Sequence, residues 1–332
     1  MRQMLLGALT GLILLLAPVV STAAQSVSHQ PPEGAGGRLL LPRGRDLWQV
    51  AASSAVEQRL LAGEPLTAIT QASWSPDGRQ VAYALFRFWR PDRPAGSDLY
   101  LLDSASGQPA PVLTAIGDEV SFTEPVWAPD GRSLVYAAVR RLPDSPLGEV
   151  ASQVERVPVA GGERVLLVPD AFSPALSRDG RQLAFLRASR SAAGEAVALW
   201  VADADGRAAR PVLDDRRFAS LAFARFAPDG QRIAFAAVGG PAPERRAAGR
   251  LPLLAVGAVH GPPWDLWEIR VDGSGLRRLT ALAEDDPALA WSPDGRWLAF
   301  QGGSGLYVLD VATTALYQLS ETPGFGGIDW TA

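Results

Sequence analysis

Cysteine, lysine and asparagine are missing from this chain of 332 residues, and histidine occurs only as His29 and His260. Each absence removes chemistry. Without cysteine there is no disulfide, no thiol nucleophile and no thiol for lipid attachment. Without lysine no side-chain amine can form a Schiff base, so all 31 basic residues are arginine. A serine–histidine–aspartate arrangement would have to be built on His260, the only histidine outside the N-terminal stretch. Positive charge is not in excess either. A net charge of −4 argues against general affinity for nucleic acid, which requires a basic surface. The 47% hydrophobic content excludes a disordered chain.

One long apolar run is present. Arg2 precedes the stretch from Met4 to Val20, which Pro18 interrupts, and STAAQ offers small residues for cleavage after Ala23 or Ala24. This is the pattern of an export signal, and it falls short of the ~20 apolar residues that span a bilayer. Residues 1–24 are therefore expected to be a signal peptide and residues 25–36 a flexible linker. The mature protein, folded over residues 37–332, is expected to be periplasmic or extracellular, or membrane-anchored if the signal is retained.

Glycine and proline are plentiful, and many of them recur in one pattern. SWSPDGRQVAYAL begins at Ser73, WAPDGRSLVYAA at Trp127, LSRDGRQLAFLR at Leu176, FAPDGQRIAFAA at Phe226 and WSPDGRWLAFQG at Trp291. The turn glycines are Gly78, Gly131, Gly180, Gly230 and Gly295, spaced by 53, 49, 50 and 65 residues. That period is close to a propeller blade of ~40–50 residues. Proline presets φ, the aspartates Asp77, Asp130, Asp179, Asp229 and Asp294 bond to the local backbone, and glycine takes the left-handed conformation. Apolar residues on both sides then supply two strands of a hairpin.

Further strands follow each turn. DLWQV at Asp46, DLYLL at Asp98, QVERV at Gln153, ALWVA at Ala198, DLWEI at Asp265 and GLYVL at Gly305 read as third strands, each leading through a polar turn to a fourth. The first unit lacks an opening strand, and the closing residues GGIDWTA look like an unpaired one whose Trp330 matches Trp74, Trp127 and Trp291. Joining the two predicts an all-β, six-bladed β-propeller of four-stranded antiparallel blades, closed by the C-terminal strand in the N-terminal blade. Closure of that kind removes both free sheet edges. The expected blades cover 37–63 with 326–332, 68–114, 120–168, 172–214, 219–280 and 287–320. The repeat aromatics, including Phe226, are expected to pack between blades.

At these residues the sequence resembles the TolB-like propellers, six-bladed rings built from WSPDG…LAF…DLY repeats. The resemblance covers 36–332 and implies an extracytoplasmic ring that mostly binds other macromolecules. TolB carries an α/β domain before its ring, whereas here only SVSHQPPEGAGG separates the signal from the first strand. Prolyl-oligopeptidase-type peptidases, whose propellers carry similar repeats, add a hydrolase domain. This chain has no Gly-x-Ser-x-Gly with a downstream histidine.

The fold assigns the Pro-Asp-Gly turns to one face, and the second-to-third connections and inter-blade links to the other. The long insertions belong to that second face, where loops carry binding function. They bring Arg87, Trp89, Arg90, Arg93, Arg140, Arg141, Arg245, Arg246, His260 and Trp264, with Phe86, Phe88, Arg187, Arg190 and Arg250. The inter-blade links bring Asp118, Glu119, Glu124, Asp214, Asp215, Glu284, Asp285 and Asp286 towards a channel mouth. An arginine/aromatic rim with an acidic mouth suits an interface, whereas the bland alternative is a set of solvated loop charges.

The expected function is a non-catalytic, monomeric scaffold without cofactor, binding a protein or an envelope polymer through the long-loop face. The alternative is a metal-dependent hydrolase or lactonase. A divalent cation in the channel would then rest on carboxylates such as Asp118, Glu124 or Asp286, which hard cations accept.

Overall fold

Each Pro-Asp-Gly copy folds as the spacing predicts. In the first, Ser75 N donates to Gln80 O (2.8 Å) and Gly78 N to Ser75 O (2.8 Å), while Asp77 Oδ1 accepts from Ser75 Oγ and Arg79 N. The turn glycines all have φ near +70°, the region a side chain opposes. The computed structural model of the protein describes residues 25–115, 120–142, 150–191, 194–213, 217–240, 263–282 and 284–332.

These turns join the innermost two strands of six antiparallel blades arranged as a ring. The second blade shows the plan: Thr67–Trp74, Gln80–Arg87, Gly96–Asp103 and Pro109–Leu113, in that spatial order. The first blade is made from both ends of the ring, because Asp329–Thr331 pairs antiparallel with Arg38–Arg43 through Leu39↔Trp330. The ring therefore closes as expected. The segment read as a linker contributes to a blade instead. Val27–Ser28 runs parallel to Leu316–Ser320 on the outer edge of the sixth blade, and Gln25 Nε2 donates to Thr314 O. Residues 1–24 lie outside the described residues, among which no helix is long and apolar enough to cross a membrane.

The core is divided into six clusters, and each is shared by two neighbouring blades. Leu40 and Leu47 of the first blade meet Ile69, Trp74 and Tyr83 of the second. At the seam, Leu39 and Trp330 meet Ala288 and Trp297 of the sixth. Burying a side chain of this size contributes about 1.5–3 kcal/mol, so a single blade, which owns only half of each cluster, gains little alone. Two of the repeat tryptophans also bond beyond their own blades: Trp127 Nε1 donates to Ser73 O (3.2 Å), and Trp291 Nε1 to Arg225 O (3.2 Å). At the seam Trp330 Nε1 donates to Gly36 O (2.9 Å).

Four innermost strands carry a bulge at one level of the channel. Their registers slip between Ile69 and Gln71, opposite Tyr136, between Phe172 and Ala175, and between Ala222 and Arg225. In three of the four a residue with positive φ sits at the slip: Glu124 (57°), Ser173 (52°) and Phe223 (53°). Such bulges re-aim side chains, and non-glycine residues hold this conformation only where the surroundings fix it.

Candidate functional site

An axial cavity of about 460 Å³ opens among the Pro-Asp-Gly turns and is lined by residues from all six blades. Pro76, Pro129, Pro228 and Pro293 form its rim. The remaining turn, Ser177-Arg178-Asp179-Gly180, lacks proline, and Arg178 reaches across the mouth to donate to Pro293 O (2.7 Å).

Deeper in the channel stand Glu124, Arg225 and Asp329, each from a different blade and each with some surface towards the lumen. Glu124 Oε2 accepts from Ser173 N (2.6 Å), the Ser173 hydroxyl also bonds to the carboxylate, and Oε1 receives a long contact from Gln71 Nε2 (3.4 Å). Gln71 Oε1 is buried and has no partner. Asp329 is better satisfied: Oδ2 accepts from Trp74 N (2.7 Å) and Ser73 Oγ (3.2 Å), and Oδ1 from Trp330 N (2.8 Å). It staples the closing strand to the second blade.

Arg225 donates through Nη1 to Ala224 O (2.9 Å). None of the ion pairs among the described residues joins Arg225 to Glu124 or Asp329, although both carboxylates favour its charge. Burial pushes the Glu124 and Asp329 carboxyls above their ordinary range, against the pull of their N–H donors and of Arg225. Burial likewise lowers the guanidinium of Arg225, opposed by Glu124 and then Asp329. The site therefore brings one guanidinium and two carboxyl groups into a desolvated lumen, where burial opposes the charge of each and any charge acts strongly on its neighbours and on a ligand.

The long-loop face is built differently from what the sequence suggested. Arg87 is buried, and its Nε and Nη2 grip Asp98 at 2.7 and 2.9 Å, with Arg93 joining at 3.3 Å. Asp98 also accepts from Ala115 N (2.8 Å), so Arg87 holds a loop in place and is not available to a partner. Arg90 pairs with Arg93 across a tight turn and donates to Pro65 O. Just before that turn Phe88 and Trp89 are exposed, at 48% and 68%. Arg140, Arg164, Gln153 and Tyr136 gather on the buried Glu155, and burial together with that carboxylate raises the Tyr136 hydroxyl. Arg141 makes contacts of its own. Trp264 starts a strand and exchanges backbone bonds with Glu284. Arg187 stacks on Phe185 and Trp200.

Of the expected channel-mouth residues, Glu124 does line the cavity, but from the turn side, whereas Asp285 and Asp286 are not part of its wall. Burial and the neighbouring Asp285 raise the Asp286 carboxyl. Asp118, Glu119, Asp214, Asp215, Arg245, Arg246 and His260 lie outside the described residues, as do Arg250 and the side chain of Arg190.

Sequence reasoning missed Arg225, Asp329, Gln71 and Arg178. A signal was present for three of them. Arg225 and Asp329 immediately precede a repeat aromatic, where the other copies have Ser73, Val126, Ala175 and Ala290. Gln71 and Glu124 both stand three residues before their tryptophans.

No protein-family profile matches the chain, and no curated protein matches it. Among solved structures it is similar to TolB from Acinetobacter baumannii, at 15% identity and a TM-score of 0.64, covering 90% of this chain and 67% of that one. It is also similar to a putative TolB from Agrobacterium tumefaciens, at 17% identity and a TM-score of 0.59, covering 90% and 99%. An oligogalacturonate lyase in complex with manganese matches at 17% identity and a TM-score of 0.54, covering 89% and 76%. At such identities the likeness concerns architecture, and both binding proteins and enzymes share it. The chain has the fold of the six-bladed TolB-like propellers.

Proposed function

We propose that this is an exported, non-catalytic binding propeller whose ligand enters the axial channel from the face of the Pro-Asp-Gly turns. The observation that carries the reading is the cavity itself, walled by every blade and holding a guanidinium without an ion pair among the described residues. Its volume suits a small ligand or one end of a larger one. Export is supported by the leader pattern of residues 1–24.

Within this cavity the hydrolase alternative would use Glu124 and Asp329. Both already accept backbone N–H groups, which assigns them to holding the bulge and the seam. Among the described residues no group of three or more His, Asp or Glu converges as metal ligands would. A second binding surface is favoured by one observation, the exposed Phe88 and Trp89 at the start of the second blade's long loop, a residue type that anchors interfaces.

Calorimetric titration of the mature chain with amino acids, dipeptides and uronic-acid oligosaccharides tests this. One probe class should bind once per chain, Arg178→Glu should weaken or alter that binding, and Phe88→Ala/Trp89→Ala should leave it unchanged. Conversion of any probe to product by the purified protein would overturn the non-catalytic reading. Sensitivity to the Phe88/Trp89 pair alone would move the site to the opposite face.

A further inference from the structure

The polar groups lining the lumen that lack a full set of partners have opposite character on opposite walls. On one side stands Arg225 of the fifth blade: Nη1 is spent on Ala224 O, and its other nitrogens have no hydrogen bond or ion pair among the described residues. A guanidinium presents five donors in a planar fork that matches a carboxylate. On the other side the Glu124 carboxylate of the third blade is bonded by Ser173 and has the long 3.4 Å contact from Gln71 on Oε1, and Gln71 Oε1 of the second blade is buried without any donor. Buried acceptors of this kind are rare and costly, and an ammonium group satisfies several at once. Asp329 adds a second carboxylate, better satisfied than Glu124, with two donors on Oδ2 and one on Oδ1.

We infer that the lumen binds a zwitterion of the amino-acid or short-peptide type, with its carboxylate on Arg225 and its ammonium group between Glu124 Oε1 and Gln71 Oε1. The inference rests on the channel being the ligand site and goes further by naming the ligand's chemistry. A purely anionic ligand would face Glu124 and Asp329, and a purely cationic one would face Arg225. A ligand carrying both charges meets complementary walls. The rim favours the same class: Arg178, bonded through Nη1 to Pro293 O, keeps further N–H donors at the mouth for a peptide carbonyl.

The test uses the mature wild-type chain and three probes: L-alanyl-L-alanine, its N-acetyl form and its C-terminal amide. The free dipeptide should bind once per chain, and blocking either end should weaken it about tenfold or more, the scale of a lost charge-assisted hydrogen bond. In Glu124→Gln the acetylated and free forms should bind alike, and in Arg225→Gln the amide and free forms should bind alike. Arg225→Lys should recover part of the preference for the carboxylate, which a merely disturbed channel would not. Because the blocked probes act on unaltered protein, the result stands even if a variant folds poorly. Titration with alanine and trialanine then ranks the length of the ligand.

Equal binding of all three probes to wild type overturns the inference. So does an oligosaccharide that occupies the Arg178-sensitive channel while no dipeptide does, an outcome that leaves the channel reading intact. If no probe of any class binds there, the channel reading fails as well.

Discussion

Carboxylates occupy two regions of this molecule under opposite conditions. In the repeat turns Asp77 and Asp179 sit in solvent, and a serine hydroxyl followed by a backbone N–H holds each carboxyl below its ordinary range. In the lumen Glu124 and Asp329 are surrounded by protein, and burial pushes their carboxyls up. The turn is complete within six residues and recurs nearly unchanged in five blades. The lumen is assembled from single residues of different blades and exists only when the ring is closed. Local chemistry is repeated here to build a frame, and what differs between blades is gathered at the axis.

The largest effect should come from breaking the closure on which the lumen depends. Trp330→Ala removes a side chain that is 5% exposed, packed at the seam and bonded to Gly36 O. A loss of about 3–5 kcal/mol is expected for such a truncation, read by denaturant unfolding. A loss below about 1 kcal/mol would show that the seam contributes little, in the range of a surface change.

A turn should respond less, and only locally. At Gly230 φ is +68° and a Cβ would meet nothing within 4 Å, so Gly230→Ala isolates the backbone cost. About 1–2 kcal/mol is expected, with no change in channel binding. A change in ligand affinity would mean that turn and lumen are coupled.

The smallest effect is the most specific to the lumen. Glu124 titrates above its ordinary 4.5 in the folded chain, so its favourable contribution is full below that value and is lost as pH rises through the raised one. Glu124→Gln should remove that decline, so that unfolding midpoints between mildly acidic and neutral pH fall less steeply than in wild type. Turn aspartates such as Asp77, whose carboxyl is lowered, act oppositely: their contribution is present above the ordinary value and fades as pH falls through the lowered one. An identical pH slope in wild type and Glu124→Gln would remove the contrast between the two regions.

The same division explains what could be read in advance. Every repeat turn, the six-blade count and the pairing of Trp330 with the first blade were legible, because each depends on residues adjacent in sequence or on the need to cover an edge. The strand at Val27–Ser28 was not, since two residues docking on a blade's outer edge leave no periodic trace. The pairing of Arg87 and Arg140 was not legible for a related reason. Charge and loop position say nothing about whether a buried partner such as Asp98 or Glu155 waits beneath.

By itself the sequence determined the ring, because a six-residue turn and alternating apolar strands specify each blade through short-range geometry and burial. Only the tertiary structure decided the site. Glu124, Arg225 and Asp329 are about a hundred residues apart from one to the next, and they share one lumen because blades placed around an axis turn the same edge inward.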